Sequence, residues 1–173
     1  AVTIKPEGAD ETTMPLEVNV WNFDLPVKHT FKTAFALFPH EIGAWWGGDS
    51  DEKRLARYKF LLEHRISPTN IYTPSPLPTM GDIPFCVENG MNQMCLVYTH
   101  NKDAKNREKL AETVREYETY LKEHGWWDMA YLYGFDEIPP EKYPELVDMY
   151  GWVKNTFPDL PRMCTVIPNK DLK

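Results

Sequence analysis

From residue 32 onward, short apolar runs alternate with amphipathic helical stretches, and this alternation constrains the fold more than any other feature of the chain. Successive strands separated by a helix rejoin one sheet by a crossover, so the pattern predicts βαβ units around a parallel sheet. Five candidate strands can be read, at residues 32–37, 70–73, 94–99, 129–135 and 162–166. The first helix is expected from near Asp49, with Glu52 at capping-box spacing and Leu55, Tyr58 and Leu62 on one face. The second runs from about Asp103 to His124, sets Leu110, Val114, Tyr117 and Leu121 at helical intervals, and meets Gly125 where a stop belongs. The third follows Pro139-Pro140, turns Tyr143, Leu146, Val147, Tyr150 and Val153 inward, and ends before Pro158.

Two stretches depart from the alternation. Leu16, Val18 and Val20 alternate with polar residues and run into Trp21 and Phe23, the period-2 pattern of a half-buried antiparallel strand. Asp24-Leu25-Pro26 then breaks the pattern, which places a domain boundary near Pro26 and separates residues 1–25 from 26–173. Between Ser67 and Pro84, the prolines at 68, 74, 76, 78 and 84 predict a long irregular connection. Asn89-Gly90, between Cys86 and Cys95, reads as a tight turn or hairpin.

Charge and motif content narrow the function. The net charge is -7, with Lys and Arg scattered, so no basic stripe faces a phosphate backbone and neither nucleic acid nor an anionic membrane is the expected partner. No apolar run approaches the roughly 20 residues of a spanning helix, and Ala1-Val2-Thr3-Ile4-Lys5 lacks the apolar core of a signal peptide, so no membrane insertion is expected. Cys86, Cys95 and Cys164 show no CxxC spacing, which argues against a disulfide framework and a zinc site; a Cys86–Cys95 bridge stays open, and the redox compartment stays undetermined. His29, His40, His64, His100 and His124 form neither HxH nor HExxH, and GxSxG and GxGxxG are absent, so metal, nucleophilic-serine and nucleotide sites are not expected.

The stretch that points to chemistry is Tyr131-Leu132-Tyr133-Gly134-Phe135-Asp136-Glu137-Ile138-Pro139-Pro140, an aromatic strand that stops at two carboxylates before a helix start. Active sites of parallel α/β sheets are built at the C-terminal ends of strands. The same acids also suit the positive end of a helix dipole, so capping and catalysis both stand as readings. Trp45 after the first strand, Tyr72 ending the second, Tyr98 and His100 ending the third, and Tyr133 beside the acids offer faces for the CH surface of a sugar, with Asn101 for its hydroxyls. Taken singly, each of these aromatics better suits a core or interface position, and Trp126-Trp127, at the opposite strand end, reads as packing.

Three blocks carry a resemblance: Lys32-Thr33-Ala34-Phe35-Ala36-Leu37, Leu61-Leu62-Glu63-His64-Arg65-Ile66-Ser67-Pro68, and His124-Gly125-Trp126-Trp127-Asp128-Met129-Ala130 running on to Glu137. In their order and spacing the chain resembles the catalytic domain of glycoside hydrolase family 123 and the related domain of unknown function 4091. The resemblance implies an N-terminal β-sandwich, ending within residues 1–25, joined to a (β/α)8 TIM barrel of which this chain supplies about strands one to five. A complete barrel takes roughly 250 residues. The chain of 173 is therefore expected to be a fragment or a truncated relative, with the remaining barrel segment or another chain covering the open sheet edges.

The implied activity is that of a retaining, substrate-assisted glycosidase acting on terminal 2-acetamido sugars such as β-N-acetylgalactosaminides. By motif, Asp136 stabilises the acetamido group and Glu137 is the general acid/base. No cofactor is implied, the partner is a glycan, and localisation by analogy is secreted, periplasmic or lysosomal. The alternative is a catalytically inactive carbohydrate-binding or structural barrel protein. Successive strand side chains face opposite ways, so both acids reach one sugar only if the backbone leaves β geometry between Phe135 and Ile138.

Overall fold

A computed structural model of the chain describes residues 1–26, 28, 30–45, 47–48, 50–73, 75–100 and 107–168, with His40 and Ile42 described by backbone alone. In order the elements are β1 (Val2–Ile4), β2 (Thr12–Met14), α1 (Pro39–Trp45), α2 (Asp51–Glu63), α3 (Ile83–Glu88), β3 (Met94–Thr99), α4 (Arg107–Glu123), β4 (Ala130–Gly134), α5 (Tyr143–Thr156) and β5 (Arg162–Met163). Strands β3, β4 and β5 form a parallel sheet in that order, while β1 and β2 form a separate antiparallel pair. The architecture is mixed α/β, with no closed barrel among the described residues.

The helices follow from their sequences. Ser50 caps α2 by accepting the Lys53 N–H at 3.4 Å, whereas Asp49, the expected cap, lies outside the described residues. Tyr58 and Leu62 of α2 are buried, as are Leu110, Val114, Tyr117 and Leu121 of α4. The α4 helix ends where Gly125 takes φ +71 and the Trp126 N–H reaches back to the Leu121 carbonyl at 2.8 Å. In α5 the buried set is Tyr143, Leu146, Met149 and Val153, with Tyr150 partly buried. Val147 is instead 48% exposed, because the inward stripe runs through Met149.

Three expectations are corrected and two open alternatives are decided. Residues 32–37 and 70–73 meet only through a single antiparallel bridge, Ala36 to Asn70, rather than as consecutive parallel strands. Phe35 and Phe38 stay exposed there, whereas a parallel strand is normally buried on both faces. The alternating run from Leu16 to Phe23 is no strand; β1 and β2 precede it, joined through Gly8 at φ +76. The proline-rich connection stops at α3, whose Pro84 stands in the first turn, where its missing N–H costs least. Asn89 caps that helix and Gly90 turns the chain at φ +104, so a turn forms but no hairpin. Cys86 and Cys95 lie in α3 and β3 as free thiols, pushed up to about 12 by burial.

The sheet has two different faces. Leu96, Ala130 and Leu132 join the main core with α4 and α5, each such leucine contributing roughly 1.5–3 kcal/mol by burial. Cys95, Tyr131 and Tyr133 form a second cluster with Ile71 and Tyr98. The register explains how Tyr98 reaches it: Cys95 pairs with Tyr131 but Tyr98 with Tyr133, so β3 carries one extra residue between them. That bulge restores Tyr98 to the tyrosine face, which strict alternation would deny it. Residues 69–73 lie beside β3, where the Thr69 hydroxyl accepts the Cys95 N–H at 3.1 Å and the Thr73 carbonyl accepts the Tyr98 N–H at 2.8 Å. No helix among the described residues is long and apolar enough to cross a membrane.

Candidate active site

Gly134 ends β4 opposite Thr99 of β3, where an added Cβ would lie 1.9 Å from the Thr99 carbonyl oxygen. Only glycine permits this approach. The chain then leaves β geometry, with Phe135 at φ +51 and Glu137 at φ +49, both in the left-handed region. The departure expected between Phe135 and Ile138 is therefore present, and it sets Asp136 between two residues held in a costly conformation. Two hydrogen bonds support it: Phe135 N–H to the Thr99 carbonyl and Glu137 N–H to the Thr165 carbonyl, each at 3.0 Å.

Three hydroxyls surround the Asp136 carboxylate. Tyr133 and Thr165 both donate to Oδ1, and Tyr72 donates to Oδ2 at 3.1 Å. The Tyr133 and Thr165 oxygens also stand 2.8 Å apart and close a triangle. Asp136 is ionised in this arrangement: the Thr165 and then the Tyr133 hydroxyl hold its carboxyl below the usual range, partial burial opposes them, and Tyr72 adds to them. Burial, followed by the Asp136 contact, raises the Tyr133 phenol, and the Asp136 contact raises Tyr72, so both remain protonated donors.

Glu137 stands in a different environment. It is exposed, its carboxylate accepts no hydrogen bond from a described residue, and with Ile138, Pro139, Thr165 and Val166 it lines a cleft of about 720 Å³. Small-molecule sites commonly measure about 300–1,000 Å³. Neither acid caps the following helix, since Lys142 is the N-cap of α5 and makes no side-chain cap bond. The capping reading of the pair is thereby corrected.

The other expected residues divide. Tyr72, Tyr98 and Tyr133 form one group with ring centroids 5.6–5.9 Å apart, and His100 stacks obliquely on Tyr98 at 5.6 Å. Tyr133 is buried and Tyr72 is 41% exposed, so the group has one sealed and one open member. Trp45 ends α1 at 87% exposure and makes no ring contact with the tyrosines among the described residues. Asn101 lies outside the described residues. Trp126 and Trp127 pack against the main core, as their position at the start of β4 suggested.

Thr165 was not singled out from the sequence. It falls near the end of the fifth candidate strand, and its position after β5 was the one available signal. Among the described residues no group of three or more His, Cys, Asp or Glu side chains is placed to hold a metal ion. Comparisons with protein-family models, with curated proteins and with solved structures give no match to this chain.

Proposed function

We propose that residues 26–173 are the N-terminal part of a (β/α)8 barrel in a glycosidase that cleaves terminal 2-acetamido sugars, such as β-N-acetylgalactosaminides, with retention. The observation that carries the reading is the unlike pair past β4: Asp136 ionised beneath three hydroxyls, and Glu137 open to the cleft. Adjacent carboxyls in different surroundings are what a division between a charge stabiliser and a proton donor requires.

The sugar's acetamido carbonyl oxygen attacks C1 as the glycosidic C1–O bond breaks, and Glu137 delivers its proton to the departing oxygen. Asp136 accepts the acetamido N–H, whose nitrogen gains positive charge as the oxazoline ring closes. Glu137, now a carboxylate, takes a proton from water as the water oxygen bonds to C1, which reopens the ring and gives net retention. A further barrel segment or another chain covers the edge of β5, and the glycan is met in a secreted, periplasmic or lysosomal setting.

One observation favours the second reading, glycan binding without turnover: Asp136 already accepts three hydroxyls. The test is hydrolysis of an aryl 2-acetamido-β-galactoside against its 2-hydroxy counterpart. The first alone should be cleaved. Glu137→Gln should lower turnover of an alkyl leaving group by about 10²-fold or more while sparing an acidic phenol, and Asp136→Asn should slow both. Equal cleavage of the two sugars would sink substrate assistance, and binding without cleavage would leave the second reading standing.

A further inference from the structure

Thr165 touches both acids from one position. Its carbonyl accepts the Glu137 N–H at 3.0 Å, its hydroxyl donates to Asp136 Oδ1, and the same oxygen lies 2.8 Å from the Tyr133 hydroxyl. It stands beyond the end of β5 and is exposed, so its side chain is not spent on filling a core.

The contacts sort the two oxygens of Asp136. Oδ1 takes the Thr165 and Tyr133 hydroxyls, whereas Oδ2 has, among the described residues, only the Tyr72 hydroxyl at 3.1 Å, from a half-exposed ring. Oδ2 is thus the less encumbered oxygen, the one left to meet an arriving N–H. A left-handed Glu137 also persists only where its surroundings fix it, and the Thr165 carbonyl is a long-range bond that does so.

We propose that Thr165 is a positioning residue for the acid pair: its carbonyl fixes the turn that aims Glu137, and its hydroxyl fixes which oxygen of Asp136 faces the substrate. The inference rests on the glycosidase reading of those two acids. Thr165 itself exchanges no proton with the sugar.

Thr165→Val keeps the shape and the carbonyl but removes the hydroxyl, and Thr165→Ser returns it; at an exposed position neither change threatens folding. Two measurements are made on the full chain. Carbon-13 titration of the Asp136 carboxyl should move upward in the valine variant, because a donor to the ionised form is lost, and return in the serine variant. Turnover of the aryl 2-acetamido glycoside should fall about fivefold with KM nearly constant, the acid limb moving upward with the carboxyl titration and serine rescuing both.

An Asp136 titration identical in the valine variant and the parent overturns the proposal, and so does a titration that moves while turnover stays constant. A complete parent protein, with the remaining barrel segment present, that cleaves neither sugar overturns the glycosidase reading instead. The carboxyl titration then still decides whether Thr165 holds Asp136, so the two failures are told apart.

Discussion

Strand β4 and the segment from Leu16 to Leu25 look alike as sequence, each an apolar run with aromatic residues, yet their surroundings are opposite. Leu132 of β4 is 0% exposed, with parallel neighbours on both sides, whereas Val20 is 83% exposed and Trp21 is 71% exposed. Among the described residues, the backbone of residues 16–25 makes one local bond, from the Phe23 N–H to the Trp21 carbonyl at 3.0 Å. Alternating apolarity describes what a segment could bury, and a strand forms only where a partner supplies ladder and cover.

The largest expected effect lies in β4. Leu132→Ala should cost about 3–5 kcal/mol in denaturant unfolding, because the cavity opens between the sheet and helices α4 and α5. A loss under about 1 kcal/mol would break the contrast at its strong end. Gly134→Ala comes next at about 3 kcal/mol, since the new methyl group would overlap the Thr99 carbonyl and force β4 off β3. An unchanged unfolding midpoint would show that the two strands do not approach as described.

A smaller effect is read with pH. The Asp136 carboxyl is held below its ordinary value of 3.8, so its hydroxyl contacts stabilise the fold fully above that value. That contribution is lost as pH falls through the lower folded value. The difference in Tm between the parent and Asp136→Asn should therefore be constant near neutrality and shrink below about pH 3.8, as scanning calorimetry can follow. A difference independent of pH would remove the claim that Asp136 is ionised by its donors. Val20→Ser closes the series: at so exposed a site it should shift stability by less than about 0.5 kcal/mol. A loss comparable to that of Leu132→Ala would mean that Val20 is covered in solution and that the contrast is false.

Long periodic elements were legible because one face repeats over several turns. Leu110, Val114, Tyr117 and Leu121 are all buried as their spacing required, and β3 and β4 stand at the expected residues. Short elements were not. The six-residue α3 was hidden by Pro84, which breaks a helix interior but suits a first turn. The run at 32–37 reads as a strand, yet its exposed Phe35 leaves it only a single bridge.

At the site, Asp136 and Glu137 announced themselves as adjacent charges at a strand end; Tyr72 and Tyr133 do meet Asp136, with Tyr98 packed on both rings and His100 on Tyr98. Thr165 gave no comparable signal, since a lone hydroxyl has no spacing rule and its role arises from a contact across 29 positions of sequence. The bulge in β3 that turns Tyr98 toward Tyr133 was equally invisible, because it shifts register without any glycine to mark it.

The left-handed residues on either side of Asp136 set heat resistance against the proposed chemistry. Glycine or asparagine would occupy residue 137 more comfortably than glutamate does at φ +49, and selection for stability alone would drift toward them. Among descendants of this sequence, a glutamate retained at position 137 would therefore record continued use of its carboxylate in the proposed chemistry, and a glycine there its retirement.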